Sequence, residues 1–229
     1  MLAEKPLPAL LDAFSSPDPT PGGGSAAALM GALGASLLAM VAGLPKTRTG
    51  AEDERKALDA ARAALIDHQR ALTALIDRDA AAYDLVVAAF KKPKATDDEK
   101  AARTAAIQDA MRIAAEVPLE TARVCSAVVR SGRAVAQYGN LSAKSDIAVA
   151  LQALGAGMQS AWFNVEINLG SIKDAAVVDA IVAEMRRITK ENTEAWMDVM
   201  RDAGIADLMK ATGTRLGVIS PTGKHVPPE

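Results

Sequence analysis

The chain has 229 residues, of which 50% are hydrophobic and only 3% are aromatic. A core with so few aromatic side chains must be built from Ala, Leu, Val, Ile and Met, which favours packed helices over a β-sandwich. The formal net charge is −2, from 26 basic and 28 acidic residues, and this balance argues against a nucleic-acid-binding protein. We therefore expect an all-α protein with no nucleic acid partner.

Cysteine and histidine are scarce. The single cysteine, Cys125, excludes an internal disulfide, and together with His68 and His225 it cannot supply the usual ligands of a structural zinc site. We therefore expect a protein of the reducing cytoplasm that has no metal site and no metal cofactor.

The first predicted elements are a short helix from Leu7 to Phe14 and a long central helix that begins near Ser25. From Ser25 to Leu44 no residue is charged, which is also the length that a membrane-spanning helix needs. The segment is rich in Ala and Gly and has no flanking Trp or Tyr, so we expect a helix buried on all sides of a bundle and no membrane span. Small residues that would let neighbouring helices approach recur every four positions at Ala27, Gly31, Ala35, Ala39 and Gly43.

The remainder of the chain also has the pattern of helices, with almost no strand signal. Heptad-spaced apolar residues predict a long helix that ends near Phe90, and the capping-box pair Thr96 and Glu99 predicts the start of the next helix. Pro118 leaves two possibilities open, one kinked helix or two consecutive helices. The predicted helices after the central one cover residues 51–90, 96–138, 145–169 and 174–202.

These helices are expected to form one domain. The sequence contains no internal repeat, no low-complexity linker and no shift in composition that would mark a second domain. We expect a single helical bundle with a long buried central helix over residues 1–210. Residues 211–229, which contain Gly and Pro, are expected to form a C-terminal tail.

A polar residue interrupts the apolar seam of the predicted helix over residues 51–90. Asp79 lies seven residues after Leu72 and seven before Val86, where the pattern calls for an apolar side chain. A carboxylate at such a position needs hydrogen bonds, a cation or a proton. Spacing alone leaves two interpretations open: Asp79 belongs to a functional site, or the helix turns this residue to solvent or to an arginine.

A second polar pattern marks the predicted helix over residues 145–169. One helix face has small residues in its middle and polar residues at its ends. This face consists of Asp146, Ala150, Ala153, Gly157, Ser160 or Ala161, Asn164 and Asn168. It leaves room for a ligand, or for a neighbouring helix whose register the asparagines set. Asp146 also stands where an acid stabilises the first turn of a helix, so its role stays open.

A glycine run leads directly into the central helix, because residues 19–25 read Pro-Thr-Pro-Gly-Gly-Gly-Ser. Successive glycines allow a ligand to approach the backbone, and free N–H groups at a helix start attract anions or carbonyl-type oxygens. The run lacks the Lys of a Walker P-loop, and no strand precedes it. It is either a ligand-binding loop or a tight turn that packs against another helix.

Several ordered motifs resemble those of one enzyme family. The segment from Pro19 to Ala28 is similar to the signature of the cyclodeaminase and methenyltetrahydrofolate cyclohydrolase family. This family includes stand-alone bacterial enzymes and the C-terminal domain of formiminotransferase-cyclodeaminase. Further similar stretches follow in the expected order at Asp79–Asp84, Val117–Leu119, Gly139-Asn140, Ser145-Asp146 and the pair Asn164 and Asn168. The resemblance extends from Leu7 to Asp202, and such an ordered set is far more specific than any single motif.

The resemblance implies two related reactions of tetrahydrofolate one-carbon adducts. A cyclohydrolase adds water to the bridging carbon of 5,10-methenyltetrahydrofolate and yields 10-formyltetrahydrofolate. A cyclodeaminase closes 5-formimidoyltetrahydrofolate to methenyltetrahydrofolate and releases ammonia. Neither reaction needs a metal or redox cofactor, so no cofactor is expected. We expect the cyclohydrolase, because no formiminotransferase domain accompanies the helical domain in this sequence.

Two alternatives stay open beside the cyclohydrolase: the cyclodeaminase, and a helical protein that binds folate without catalysis. The resemblance also implies a homodimer with a folate as its small-molecule partner. Both reactions involve an amidinium-type cation, which a nearby carboxylate stabilises while it moves a proton. We assign Asp79 as the leading acid–base residue and Asp146 as the second choice. The expected substrate-binding residues are Gly22, Gly23, Gly24, Ser25, Tyr83, Asp84, Asn164, Asn168, Lys92 and Lys94, with the lysines meeting the glutamate tail.

Overall fold

The computed structural model of the protein describes residues 1–215, and this part of the chain contains seven α-helices and no β-strand. The predicted all-α class is therefore confirmed. The helices are α1 (Leu7–Ser15), α2 (Gly23–Ala42), α3 (Glu52–Phe90), α4 (Asp97–Tyr138), α5 (Lys144–Leu169), α6 (Ala175–Asp202) and α7 (Ile205–Arg215). Short 3₁₀ turns at Leu2–Glu4 and Leu141–Ala143 precede α1 and α5.

The helix boundaries lie close to those predicted from the sequence. The Glu99 N–H donates to Thr96 Oγ1, and the Glu99 carboxylate accepts from the Thr96 N–H, so the capping box at the start of α4 is confirmed. Helix α4 continues through Pro118, which decides between the two open possibilities in favour of one helix. The predicted domain boundary at residue 210 falls inside α7, and residues 216–229 of the expected tail lie outside the described residues.

Helix α2 is the central helix and packs against α3, α4 and α5. Its length and hydropathy alone would suit a membrane span, but 61% of its most apolar 18-residue window is buried inside the protein. Glycines permit this packing, because a Cβ at Gly31 would lie 2.7 Å from Cys125 Sγ and one at Gly34 would lie 2.6 Å from Leu154 Cγ. One face of α2 remains at the surface, with Leu33 54% exposed, so the expectation of burial on all sides is wrong for that face.

The packing of the helices brings segments of α2, α3, α4 and α5 together at one end of the bundle. Helices α2 and α3 pack together, as do α3 with α4, α4 with α5, and α2 with α5. The start of α2, the last turns of α3 and α5, and the first half of α4 line one cavity there. The fold thus brings together segments from four helices that are far apart in the sequence.

Candidate active site

A cavity of about 370 Å³ lies where α2 begins and where α3 and α5 approach their ends. Its volume is in the range of small-molecule sites. It is lined by Pro19, Thr20, Gly22, Gly23, Gly24, Asp79, Ala82, Tyr83, Val86, Met111, Ala114, Asn164, Ile167, Asn168 and Ser171. The cavity thus unites the glycine run, the interrupted seam of α3 and the asparagine pair of α5.

The glycine run and Asp79 are in direct contact. Helix α2 starts at Gly23 with Gly22 as its N-cap residue, which has no side chain to satisfy the first N–H groups of the helix. The Asp79 carboxylate lies against Gly24, where a Cβ would be only 2.5 Å from Asp79 Cγ. Only glycine leaves room there for a carboxylate at the positive end of the helix dipole. The glycine run therefore positions an acidic group as well as turning the chain.

Asp79 is half-buried and hydrogen-bonded to α2. The Ser25 hydroxyl oxygen lies 3.0 Å from Asp79 Oδ2 and 2.9 Å from the Ile76 carbonyl oxygen. Burial raises the pKa of the Asp79 carboxyl above its ordinary value, and the hydrogen bonds from the Ser25 hydroxyl and backbone N–H oppose that rise. A carboxyl with a raised pKa in a cavity is suited to acid–base chemistry.

Two asparagines of α5 form much of the remaining polar surface of the cavity. The Asn164 amide nitrogen donates to the Ser160 carbonyl at 2.8 Å, and this side chain lies beside Gly23. The Asn168 amide nitrogen donates to the carbonyls of Asn164 and Ala114, each at 2.8 Å. These bonds use both N–H groups of the Asn168 amide and one of the Asn164 amide, so the side-chain oxygens of both residues can accept hydrogen bonds from a ligand and one N–H of Asn164 can donate to it.

Pro118 explains why the Ala114 carbonyl accepts from Asn168. In an α-helix the N–H of residue 118 would donate to the carbonyl of residue 114, but proline has no N–H. Asn168 supplies the missing donor, so a proline inside α4 anchors an α5 side chain beside the cavity. The sequence motifs included Pro118 and Asn168, but nothing in their spacing indicated that they act on the same carbonyl.

Some lining residues were missed in the sequence analysis. Met111 and Ala114 belong to α4, whose 42 residues show no local feature that marks the face turned to the cavity. Ile167 lies three residues after Asn164, and Ser171, just beyond the end of α5, lies three residues after Asn168, so both continue the face of the two asparagines. This shared face is a signal by which Ile167 and Ser171 could have been found.

Asp146, the second catalytic candidate, lies outside the cavity. It is in the first turn of α5, 18 residues before Asn164. At 1.5 Å per residue this separates the two residues by about 27 Å along the helix axis. One ligand in this cavity therefore does not reach both ends of the predicted polar face. Asp146 has the position of a first-turn acid, which was its alternative interpretation.

Asp84, Lys92 and Lys94 are exposed and do not line the cavity. Asp84 follows Asp79 by five residues, which turns it by about 140° around α3 and away from the cavity. The two lysines lie beyond the end of α3, in the turn before α4. Of the predicted site residues, the structure therefore brings together Gly22, Gly23, Gly24, Ser25, Asp79, Tyr83, Asn164 and Asn168.

Comparison with known proteins identifies relatives of this chain. Residues 6–187 match the family model described as Formiminotransferase-cyclodeaminase. A methenyltetrahydrofolate cyclohydrolase of Methylorubrum extorquens is 39% identical over 194 residues, which cover 83% of this chain and 92% of that protein. A formimidoyltransferase-cyclodeaminase of Sus scrofa is 37% identical over 190 residues, which cover 81% of this chain and 34% of that protein. The chain thus spans about a third of the length of this longer relative.

A solved structure has the same fold. The formiminotetrahydrofolate cyclodeaminase of Thermotoga maritima is similar with a TM-score of 0.79 and 26% sequence identity, over 90% of this chain and 100% of that one. The match of the family model over most of the chain agrees with the ordered motifs and with the cavity that several of them form. The relatives are named as enzymes, and the chain is a member of the formiminotransferase-cyclodeaminase family.

Proposed function

We propose that this protein hydrolyses 5,10-methenyltetrahydrofolate to 10-formyltetrahydrofolate. The observation that carries the proposal is the Asp79 carboxylate in a cavity whose asparagines present oxygen acceptors. A methenyl-bridged folate has a positive charge on the bridge and N–H donors on its pterin ring, so a cavity with one carboxylate and several acceptors complements it. Similarity to the cyclohydrolase of Methylorubrum extorquens supports the same reaction.

The proposed reaction begins with addition of water to the bridging carbon. Asp79, as a carboxylate, stabilises the cationic bridge and accepts one proton of the water as the new carbon–oxygen bond forms. Collapse of the adduct breaks its bond to N5 and leaves the formyl group on N10. The hydroxyl proton of the adduct is transferred to N5 through solvent, and the proton held by Asp79 is released. No metal or redox cofactor takes part in this scheme.

The substrate is proposed to lie between the start of α2 and the end of α5. The side-chain oxygens of Asn164 and Asn168 would accept hydrogen bonds from the pterin ring. Tyr83, which is 41% exposed, and Ile167, which is 79% exposed, would provide an apolar rim for the aromatic part of the folate. Lys92 and Lys94 lie outside the cavity, so we still predict that they bind the glutamate tail of the folate only where that tail extends beyond the cavity.

The test follows the methenyl chromophore of 5,10-methenyltetrahydrofolate by absorbance with and without the protein. We expect the wild-type protein to accelerate its loss, and Asp79→Asn to lower kcat by about 10²–10⁴ because the acid–base group is removed. The control is Asp67→Asn, which removes an exposed carboxylate of the same helix and should retain the activity. A folded Asp79→Asn protein with undiminished turnover would contradict the assignment. Binding of the folate by the wild type without turnover would instead identify a non-catalytic folate-binding protein.

The cyclodeaminase reaction is a second candidate, supported by the names of the Sus scrofa relative and the Thermotoga maritima structure. In the same cavity, N10 of 5-formimidoyltetrahydrofolate would attack the carbon of the cationic formimidoyl group, and Asp79 would accept the N10 proton and pass it to the departing nitrogen, whose bond to carbon then breaks to release ammonia. Release of ammonia distinguishes the two reactions. Ammonia formation from 5-formimidoyltetrahydrofolate that is faster than hydrolysis of the methenyl substrate would assign the protein to the cyclodeaminases.

We also propose that the protein is a homodimer. Leu33 and Met40 lie seven residues apart on the exposed face of α2, and Val149, Ala156 and Phe163 recur every seven residues on α5, which packs beside α2. An exposed apolar face of this kind suits a second copy of the chain, because a two-fold axis pairs the same surface of both copies and these side chains carry no charge that would repel its own copy. A solution mass of two chains by light scattering would support the dimer, and the mass of one chain would overturn it.

A further inference from the structure

We infer that Ser25 is a positioning residue whose one hydroxyl proton alternates between two acceptors as Asp79 gains or loses a proton. The role of Asp79 in turnover rests on the function proposed above. The hydrogen bonds of Ser25 with Asp79 and Ile76 are present in the protein without substrate, so they can be tested independently of turnover.

The geometry around the Ser25 hydroxyl contains more acceptors than protons. Its oxygen lies 2.9 Å from the Ile76 carbonyl oxygen and 3.0 Å from Asp79 Oδ2. Both of these atoms are acceptors when Asp79 is ionised, yet a hydroxyl has a single proton to donate. Ser25 is 0% exposed, so solvent does not supply a further donor. With Asp79 ionised, only one of the two contacts is a hydrogen bond.

Protonation of Asp79 makes both contacts into hydrogen bonds. In the ionised state the Ser25 hydroxyl donates to Asp79 Oδ2. In the protonated state Asp79 Oδ2 donates to Ser25 Oγ, and the hydroxyl turns to donate to the Ile76 carbonyl. Only one proton, that of the carboxyl, is gained or lost between the states, and rotation about the Cβ–Oγ bond redirects the hydroxyl. Asp79 therefore exchanges its proton while its heavy atoms stay in place, which preserves the alignment that catalysis requires.

The charged groups near Asp79 are otherwise engaged or face elsewhere. Helix α2 has no charged residue. The cavity-lining residues of α4 and α5 are the uncharged Met111, Ala114, Asn164, Ile167, Asn168 and Ser171.

On α3, Arg78 pairs with Glu120 of α4, and Asp77 accepts backbone N–H groups from the start of the chain. In the loop before α2, Asp18 accepts a hydrogen bond from the Ser16 hydroxyl. Among the residues that line the cavity, Tyr83 is the other titratable side chain. Ser25 is thus the polar side chain in direct contact with the carboxyl.

The first experiment compares the pH dependence of kcat/KM in wild type and Ser25→Ala. The hydrogen bond that Ser25 donates to the ionised carboxylate is charge-assisted and outweighs the neutral hydrogen bonds of the protonated state, so removal of Ser25 should raise the pKa of Asp79 and move the acid limb of the profile to higher pH. We expect kcat/KM at neutral pH to fall by about tenfold, the size of one hydrogen bond to a charged group. Ser25→Cys, which keeps the size but weakens the hydrogen bond, should give a smaller shift and replaces the alanine variant if that variant does not fold.

The matched control is Ser126→Ala. Ser126 is also buried, at 1% exposure, but lies on α4 and accepts from Arg130. This variant should keep the pH profile of the wild type. An unchanged profile in Ser25→Ala, or an equal shift in Ser126→Ala, would overturn the inference.

The second experiment titrates Asp79 directly by NMR of protein with ¹³C-labelled aspartate, the Asp79 signal being assigned by its loss in Asp79→Asn. The midpoint of Asp79 should move to higher pH in Ser25→Ala and stay in place in Ser126→Ala. Identical midpoints in wild type and Ser25→Ala would overturn the inference whatever the enzyme does with folates. A shifted midpoint in a protein that does not turn over the methenyl substrate would overturn the proposed function alone.

Discussion

Gly24 and Asp79 fit each other at the scale of single atoms. The carboxylate occupies the volume that a Cβ at position 24 would fill, with Asp79 Oδ2 2.8 Å from that point. The contact at Gly23 is looser, because a Cβ there would lie 3.3 Å from Asn164 Nδ2. The three glycines are therefore not equivalent, and the need for glycine is greatest where the helix start meets the carboxylate.

Gly24→Ala is expected to lower kcat/KM by about 100-fold, because the added methyl group moves the carboxylate and a displacement of about 1 Å has an effect of this order. The measurement is steady-state hydrolysis of the methenyl substrate, with circular dichroism to establish that the variant folds. Gly170→Ala is the control, since a Cβ at Gly170 would lie at an ordinary 3.6 Å from the Ile167 carbonyl oxygen. Equal activity of the two variants would contradict this steric explanation.

At the scale of helices, α4 and α5 are joined by a proline and an asparagine. Helix α4 continues past Pro118 because α5 supplies the hydrogen bond that the proline cannot make. The pattern of either helix alone does not indicate this partnership. Pro118 has the local signature of a helix break, and Asn168 that of a polar residue without a known partner.

Pro118→Ala is expected to lower kcat/KM by about tenfold while the protein stays folded. The new N–H at position 118 competes with Asn168 for the Ala114 carbonyl, and loss of one hydrogen bond has an effect of about this size. Steady-state kinetics of a double-mutant cycle with Asn168→Ala test the mechanism. If the proline acts through Asn168, its substitution should have little further effect in the Asn168→Ala background. Additive losses would contradict this coupling, and Pro93→Ala, in the exposed turn after α3, controls for removal of a proline.

At the scale of the whole molecule, the loop between α2 and α3 connects the ends of distant helices. Arg48 donates to the carbonyls of Ala136 and Gly139 at the end of α4, and to the carbonyl of Asp202 at the end of α6. A single side chain thereby satisfies helix carbonyls that would otherwise lack donors. The position of this loop therefore affects the ends of two helices, α4 and α6, at once.

Glu54 holds the same loop from the first turn of α3. It accepts hydrogen bonds from the Thr47 hydroxyl at 2.6 Å, the Thr49 N–H at 2.9 Å and the Gly50 N–H at 3.2 Å. These bonds, with the one from Thr47 the largest influence, lower the pKa of Glu54 from 4.5 to about 2. Because the pKa is lower in the folded protein, ionised Glu54 stabilises the fold above about pH 4.5, and this stabilisation is lost as the pH falls toward 2.

Glu54→Gln is therefore expected to lower the Tm at pH 7, and the difference from wild type should shrink as the pH falls from 4.5 toward 2. Thermal unfolding followed by circular dichroism across this range is the measurement. Glu52→Gln serves as the control, because Glu52 is exposed in the same turn and forms a surface ion pair with Lys56. A Tm difference for Glu54→Gln that is constant from pH 7 to the acid end of the range would show that ionisation of Glu54 is not its cause.

Features that depend on a short stretch of sequence could be predicted, whereas features that depend on contacts between helices could not. Helix periodicity, the capping box and the uncharged stretch of α2 are properties of short segments, and the helices formed where these patterns predicted them. Asp79 could be singled out because its neighbours at seven-residue spacing are apolar. The pairing of Asp146 with Asn164 was misleading, because periodicity tells which residues share a helix face but not how far along that face a cavity extends.

The sequence by itself determined the all-α class, the apolar central helix and the acidic residue within an apolar seam, because spacing along a single helix encodes all three. Only the tertiary structure decided which residues share the cavity. The hydrogen bonds between Ser25 and Asp79 and between Asn168 and Ala114 each join positions 54 residues apart in the chain. Such contacts depend on how whole helices pack, and no pattern within one helix records the partner that packing will bring to it.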